Sequence, residues 1–198
     1  MGTNKKSKVY RLIFSKLEDI AGAVAEVLLG GGVCIIPTDT IYGIVALDRY
    51  PDSIERVKQI KKRPENKPFL RLIGSLETLK RYTPQQVPER LKVYWPGPLT
   101  IIFRDYNGKT IALRWPDYYF LKAVFRLIGN EAVVAPSANI SGEPPIFDEE
   151  KLVQTFGDLV DLIVISDDVK RGREPSAIID ITTEPWSIVR EGAVKIKL

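Results

Sequence analysis

Short apolar runs alternate with amphipathic helical stretches through the first two-thirds of this chain, and that alternation limits the possible folds more than any other feature. Residues 15–32 predict a helix. Leu17, Ile20, Ala21, Val24 and Leu28 share one face, Ser15 and Glu18 have capping-box spacing, and three glycines end it. A buried strand is expected at 33–36 and a second extended run at 41–47. Residues 52–62 predict a helix with Ile54, Val57 and Ile60 inward, stopped by Pro64. Further strands are expected at 69–73, 99–103, 110–114 and 132–135, the middle pair joined by a turn at Asn107-Gly108. Helices are expected at 75–82, 117–129 and 147–156. Strands then dominate, at 162–165, 177–181 and 187–190. The pattern predicts one α/β domain over residues 1–198, built on a twisted mixed sheet flanked by helices. Residues 1–8 are expected to be a flexible N-terminal segment, and no additional C-terminal domain is expected.

Composition narrows the chemistry. With 198 residues, 44% of them apolar, the chain has enough material for a sizeable core. It contains no histidine and one cysteine, which excludes histidine-based triads, cysteine–histidine dyads and ordinary zinc sites. No unperturbed side chain titrates near neutrality, so an enzyme built from this chain must rely on positioning and charge, or on a substrate that is already nucleophilic. Cys34 lies in an apolar run and is expected to be an inert core residue. No apolar run approaches a membrane span and the N-terminus lacks a signal-peptide core, so a soluble, cytoplasmic protein is expected. The sequon at Asn139-Ile140-Ser141 then has no bearing on glycosylation. A net charge of +4 is compatible with an anionic partner such as ATP or RNA.

Four polar segments adjoin expected strands, where α/β sheets place ligands. "PTDTIYG", residues 37–43, clusters Thr38, Asp39, Thr40 and Tyr42 after a buried strand, as a ligand site or as an Asp/Thr turn. "KQIKKRPENKPFL", residues 58–70, gathers Lys61, Arg63 and Lys67 around two prolines. Those cations suit a helix C-terminus in solvent, or an anion site held in a stiff loop. "APSANISG" presents Ser137, Asn139 and Ser141, and "GREPSAIID" presents Arg173 and Ser176. "WPGPLT" delivers Thr100 into a strand, and "IALRWP" ends a strand on Arg114, well placed to meet a carboxylate. No Walker-type loop occurs, and the glycines at 30–32 precede a strand instead of following one, so neither common nucleotide fingerprint is present.

Taken in order, these segments resemble the YrdC family, the L-threonylcarbamoyladenylate synthases. "PTDTIYG" is similar to that family's Pro-Thr-Glu-Thr-Val-Tyr-Gly, Lys61-Lys62-Arg63 to its Lys-x-Arg, and Ser137-Ala138-Asn139 to its Ser-x-Asn. "WPGPLT", the strand ending at Arg114 and Arg190-Glu191-Gly192 fall in family order. The resemblance covers residues 20–192 and implies a large basic concave pocket in a YrdC-like fold.

It also implies an activity. L-threonine, bicarbonate and ATP, with Mg²⁺, would give threonylcarbamoyl-AMP and pyrophosphate. The product serves threonylcarbamoyl-adenosine formation in tRNA, completed by the proteins of the transfer step. On this resemblance Lys61 and Arg63 are the catalytic phosphate clamp. Lys67, Thr100, Ser137, Asn139 and Arg190 join them around ATP, and no metal ligand is assigned. Thr38, Thr40, Tyr42, Arg114 and Ser176 hold threonine, Arg114 taking its carboxylate. Two departures stand out: "FLRLI" replaces a strand in which some members carry histidine, and "EPSAIID" stands where many have Glu-Ser-Thr. The rival expectation is a non-enzymatic module binding tRNA or double-stranded RNA on the same basic concave face.

Overall fold

The computed structural model of the protein describes residues 6–63, 68–169 and 173–197. Their elements run β1 (Lys8–Arg11), α1 (Leu17–Leu29), β2 (Cys34–Ile36), β3 (Gly43–Leu47), α2 (Pro51–Lys61), β4 (Arg71–Leu72) and α3 (Leu76–Tyr82). They continue with β5 (Leu99–Arg104), β6 (Thr110–Arg114), α4 (Tyr119–Leu127), β7 (Val133–Val134), α5 (Glu149–Phe156), β8 (Leu162–Ile165), β9 (Ala177–Asp180) and β10 (Ser187–Arg190). Hydrogen bonding joins the strands in the order β1-β8-β2-β3-β7-β4-β6-β5-β9-β10. β1, β8 and β2 are mutually parallel, as are β4 with β6 and β5 with β9, while the other neighbours are antiparallel. This is the α/β mixed sheet that the alternation predicts.

Side-chain alternation along β2 divides the core between two faces of the sheet. Cys34 and Ile36 join a cluster with Ile20, Val24 and Leu28 of α1 and Phe120, Val124 of α4. Ile35 joins the other cluster, with Val57 and Ile60 of α2 and Leu152, Phe156 of α5. Each fully buried side chain of this size stabilises the fold by about 1.5–3 kcal/mol. A third cluster packs α3 and the segment after it against β5, β6 and β9. Cys34 is fully buried, and burial pushes its thiol pKa up, so it is the inert core residue expected.

One local expectation needs correction. Ser15 does not cap α1; a 3-10 turn at Phe14–Lys16 precedes the helix, whose N-cap residue Lys16 makes no side-chain cap. The turn begins the helical path before Ser15 could face the first free amides. Of the expected N-terminal segment, residues 1–5 lie outside the described residues. Lys8 starts β1, and the Ser7 hydroxyl lies 2.7 Å from both Gly157 O and Val160 O. Among the described residues no helix is long and apolar enough to cross a membrane.

Candidate active site

The loop between β2 and β3, the segment after β7, the end of β6, the start of β9 and the end of β10 meet at one cleft. Its cavity volume is about 50 Å³, and it is lined by Thr38, Thr40, Arg114, Ser137, Ser176 and Arg190 over an apolar wall that includes Leu70 and Leu72.

Arg114 is only 4% exposed and is wired before any ligand arrives. Its Nη2 pairs with Asp39 Oδ1, its Nη1 donates to Thr40 Oγ1 at 3.0 Å, and its Nε is buried without a partner among the described residues. Burial presses the guanidinium pKa down while Asp39 holds it up; as an arginine it stays charged. Arg190 approaches from the neighbouring sheet edge. A register shift between Ile188 and Arg190 on β10 turns the side chain, which donates to Ser176 O from Nε at 3.0 Å and Nη2 at 2.7 Å. Its pKa is lowered first by burial and then by the nearby Arg114 charge. Gly192 allows this approach, because a Cβ there would stand 2.4 Å from Pro175 O.

The Lys-x-Arg segment forms the adjoining corner. α2 ends at Lys61, and Lys62 takes the left-handed conformation at φ 50°, which redirects the chain. Lys61 is 2% exposed and its ammonium donates to Ser137 O at 2.5 Å, Asn139 O at 2.6 Å and Asn139 Oδ1 at 3.2 Å. Those three bonds match its three N–H groups. No carboxylate among the described residues pairs with it. Burial and then the Arg63 charge bring its pKa down to about 8. Arg63 is half-buried, lies over the Phe69 ring at 4.8 Å and donates to Pro68 O at 2.9 Å. Asn139 is held by its amide nitrogen, which donates to Ile140 O and Glu143 O, and by the Ser137 hydroxyl.

Residues 26–192 match the Sua5–YciO–YrdC family model, whose description is telomere recombination. The chain belongs to this family. The threonylcarbamoyl-AMP synthase of Pyrococcus abyssi is 29% identical over 194 residues, covering 92% of this chain and 55% of that protein. The enzyme of the same name from Marinobacter nauticus is 29% identical over 172 residues, covering 80% of this chain and 89% of its own length. The crystal structure of Pyrococcus abyssi Sua5 complexed with L-threonine superimposes with a TM-score of 0.80 at 26% identity, over 94% of this chain and 57% of that one. The chain thus spans little more than half the length of these archaeal relatives.

The family motifs reach the cleft unequally. Thr38, Thr40, Arg114, Ser137, Ser176 and Arg190 line it together, with Lys61, Arg63 and Asn139 alongside. Lys67 lies outside the described residues. Tyr42 also lines the cleft, but its hydroxyl donates to Ser166 O at 3.1 Å and accepts from Ser166 N at 2.9 Å, so the phenol is not open to a ligand. Thr100 is fully buried and bonds the Ser176 hydroxyl from behind at 2.8 Å. Sequence reasoning left Asp39 without a role, although it lies between the two assigned threonines. Arg173 was noted but unassigned; its Nη1 donates to Asp39 O at 2.8 Å. Neither role is visible before the fold brings these distant segments together.

Proposed function

We propose that this chain is a threonylcarbamoyl-AMP synthase, converting L-threonine, bicarbonate and ATP into threonylcarbamoyl-AMP and pyrophosphate for modification of tRNA adenosine. The observation that carries the reading is the convergence of Thr38, Thr40, Arg114, Ser137, Ser176 and Arg190 on one cleft, with Lys61 and Arg63 at its corner. The names of the relatives and the L-threonine held by the Pyrococcus abyssi protein support it.

The chemistry needs no histidine. The neutral threonine amine adds to carbon dioxide and gives up a proton to solvent, or condenses with bicarbonate and releases water, and the anionic oxygen of the resulting carbamate attacks the α-phosphorus of ATP. The new O–P bond forms as the bond to the bridging oxygen breaks, and pyrophosphate leaves with that electron pair. The protein's work is alignment and neutralisation of charge. Arg114 and Ser176 hold the amino acid, the Thr38–Thr40 pair lies at the same end, and Arg190 serves the nucleotide phosphates. Arg63, Ser137 and Asn139 meet the triphosphate. Lys61 stands behind Ser137 and Asn139 and adds positive field there; direct contact with phosphate would require release of one of its three internal bonds.

The described residues contain no group of three or more carboxylates, cysteines or histidines able to hold a metal, and the nearby Asp39 is engaged by Arg114. They do not fit a resident Mg²⁺ site, so the ion would enter as the chelate of the ATP substrate. Proteins of the transfer step would then carry the threonylcarbamoyl group to tRNA.

The test is incubation of the purified chain with labelled ATP, L-threonine, bicarbonate and Mg²⁺. Threonylcarbamoyl-AMP and pyrophosphate should appear together only when threonine is present, and serine should substitute poorly. An intact protein that binds ATP yet releases no pyrophosphate under any of these conditions would overturn the reading.

A further inference from the structure

Following the protons along the two hydroxyl chains of the cleft gives those chains opposite polarity. Thr38 Oγ1 lies 2.7 Å from Ile41 O, which accepts only, so the Thr38 proton is committed there. Thr38 Oγ1 also accepts from Thr40 N at 3.1 Å, and its 3.0 Å contact with Thr40 Oγ1 must therefore use the Thr40 proton. Thr40 Oγ1 in turn accepts from Arg114 Nη1 at 3.0 Å. Both threonine protons are engaged, and Thr40 retains only a lone pair for a ligand.

The second chain runs the other way. Thr100 is 0% exposed, and its hydroxyl has one partner among the described residues, Ser176 Oγ at 2.8 Å. Were Ser176 the donor, the Thr100 proton would be buried without an acceptor, an arrangement native interiors avoid. Thr100 therefore donates. Arg190 Nη2 donates to the same oxygen at 3.2 Å, and the Ser176 proton is left to point into the cleft that Ser176 lines. Arg114 also lines that cleft, and its buried Nε–H has no partner among the described residues.

We infer that Thr100 is a positioning residue that sets the direction of the Ser176 hydroxyl. Ser176 and Arg114 then donate to the carboxylate of an amino acid, while Thr40 accepts from its N–H end. The ligand assignment rests on the reading of the cleft as an L-threonine site; the proton direction does not. Thr100 is accordingly removed from the residues expected to touch ATP.

Calorimetric titration with L-threonine tests both parts. Thr100→Val, of nearly the same shape, should weaken binding about fivefold to tenfold, the effect of one lost or misdirected hydrogen bond. Thr100→Ser should bind within about twofold of the unaltered chain. Thr100→Val combined with Ser176→Ala should bind no more weakly than Ser176→Ala alone, because Thr100 acts only through Ser176. Unchanged binding in Thr100→Val, failure of Thr100→Ser to restore it, or losses that multiply in the double variant would each overturn the inference. Neutron diffraction of the deuterated, unaltered protein reads the wiring without any ligand. The Thr100 deuteron should lie on the line to Ser176 Oγ, and its absence from that line would refute the proton direction. If the unaltered chain takes up no threonine while the deuteron is in place, the ligand assignment falls and the wiring stands.

Discussion

Lys61 and Arg114 are both almost wholly buried cations beside the same cleft, yet the protein compensates them differently. Arg114 faces the Asp39 carboxylate and the Thr40 hydroxyl. Lys61 faces three neutral oxygens, all from the Ser137–Asn139 segment. At the Arg114 end Asp39 balances the Arg114 charge itself and the geometry is fixed in advance, leaving direction-specific hydrogen bonds to sort ligands. At the Lys61 end no carboxylate among the described residues pairs with the ammonium, and the Arg63 charge lies near it. An anion entering that corner gains attraction without displacing a carboxylate. The same protein surface thus divides into a region that reads shape and polarity and a region that reads charge.

Removing the Lys61–Arg63 corner should have the largest effect. Lys61→Ala with Arg63→Ala should lower threonylcarbamoyl-AMP formation by about a hundredfold, as expected when the charge-assisted Arg63 contact and the Lys61 field behind Ser137 and Asn139 are lost, with an unchanged circular dichroism spectrum. Near-normal turnover would reject the charge-reading region.

Asp39→Asn addresses the balanced region. It leaves the Arg114 guanidinium buried without its counter-ion and should cost about 3–5 kcal/mol in urea unfolding. Combining it with Arg114→Met should restore most of that stability, whatever happens to activity. If the double variant remains as unstable as the single one, Asp39 is not acting as the counter-ion.

The contrast also has a pH signature. Lys61 has a folded pKa of about 8 against an ordinary 10.5. Between those values the unfolded chain binds the proton that the native chain has lost, so this group's contribution to stability rises with pH over that window. Its positive charge disappears over the same range, so ATP affinity should fall as pH climbs through about 8. The unfolding midpoint and ATP affinity of Lys61→Met should lack both trends. Identical pH profiles for the two proteins would mean that Lys61 does not titrate there.

Smaller effects refine the boundary of the balanced region. Gly192→Ala forces a Cβ to within 2.4 Å of Pro175 O, so it should cost about 1–3 kcal/mol by crowding and weaken threonine binding by displacing Ser176 and Arg190. Tyr42→Phe should cost about 1–3 kcal/mol, because it removes both phenol bonds to the Ser166 backbone, and threonine affinity should barely respond. A large affinity loss in Tyr42→Phe with little loss of stability would return that phenol to the ligand site.

The division between legible and hidden features has a physical basis. β8 and β10 lie at the positions the sequence predicts, because short β-branched runs between polar turns leave little alternative. α2 and α4 follow their apolar spacing to within a few residues. β1 escaped prediction because Lys8, Val9 and Arg11 are exposed on an edge strand, with no alternation of burial to reveal it. At the site, residue types and their order in the chain were readable from Thr38 to Arg190. Their partners were not. Lys61 is held largely by backbone carbonyls, which every sequence supplies equally, and the Asp39–Arg114 pair joins positions 75 residues apart. The direction of the Thr100 proton depends on complete burial, which only the packed structure provides.

The central claim is that the two regions bind different ligands. Its most direct test is calorimetric titration of L-threonine and, separately, of ATP with Mg²⁺ into the Lys61→Ala/Arg63→Ala protein. Threonine affinity should stay within about twofold of that of the unaltered chain, while ATP affinity should fall by about a hundredfold, from loss of the charge-assisted Arg63 contact together with the Lys61 field. Equal losses for both ligands, or ATP bound as tightly as before, would contradict it.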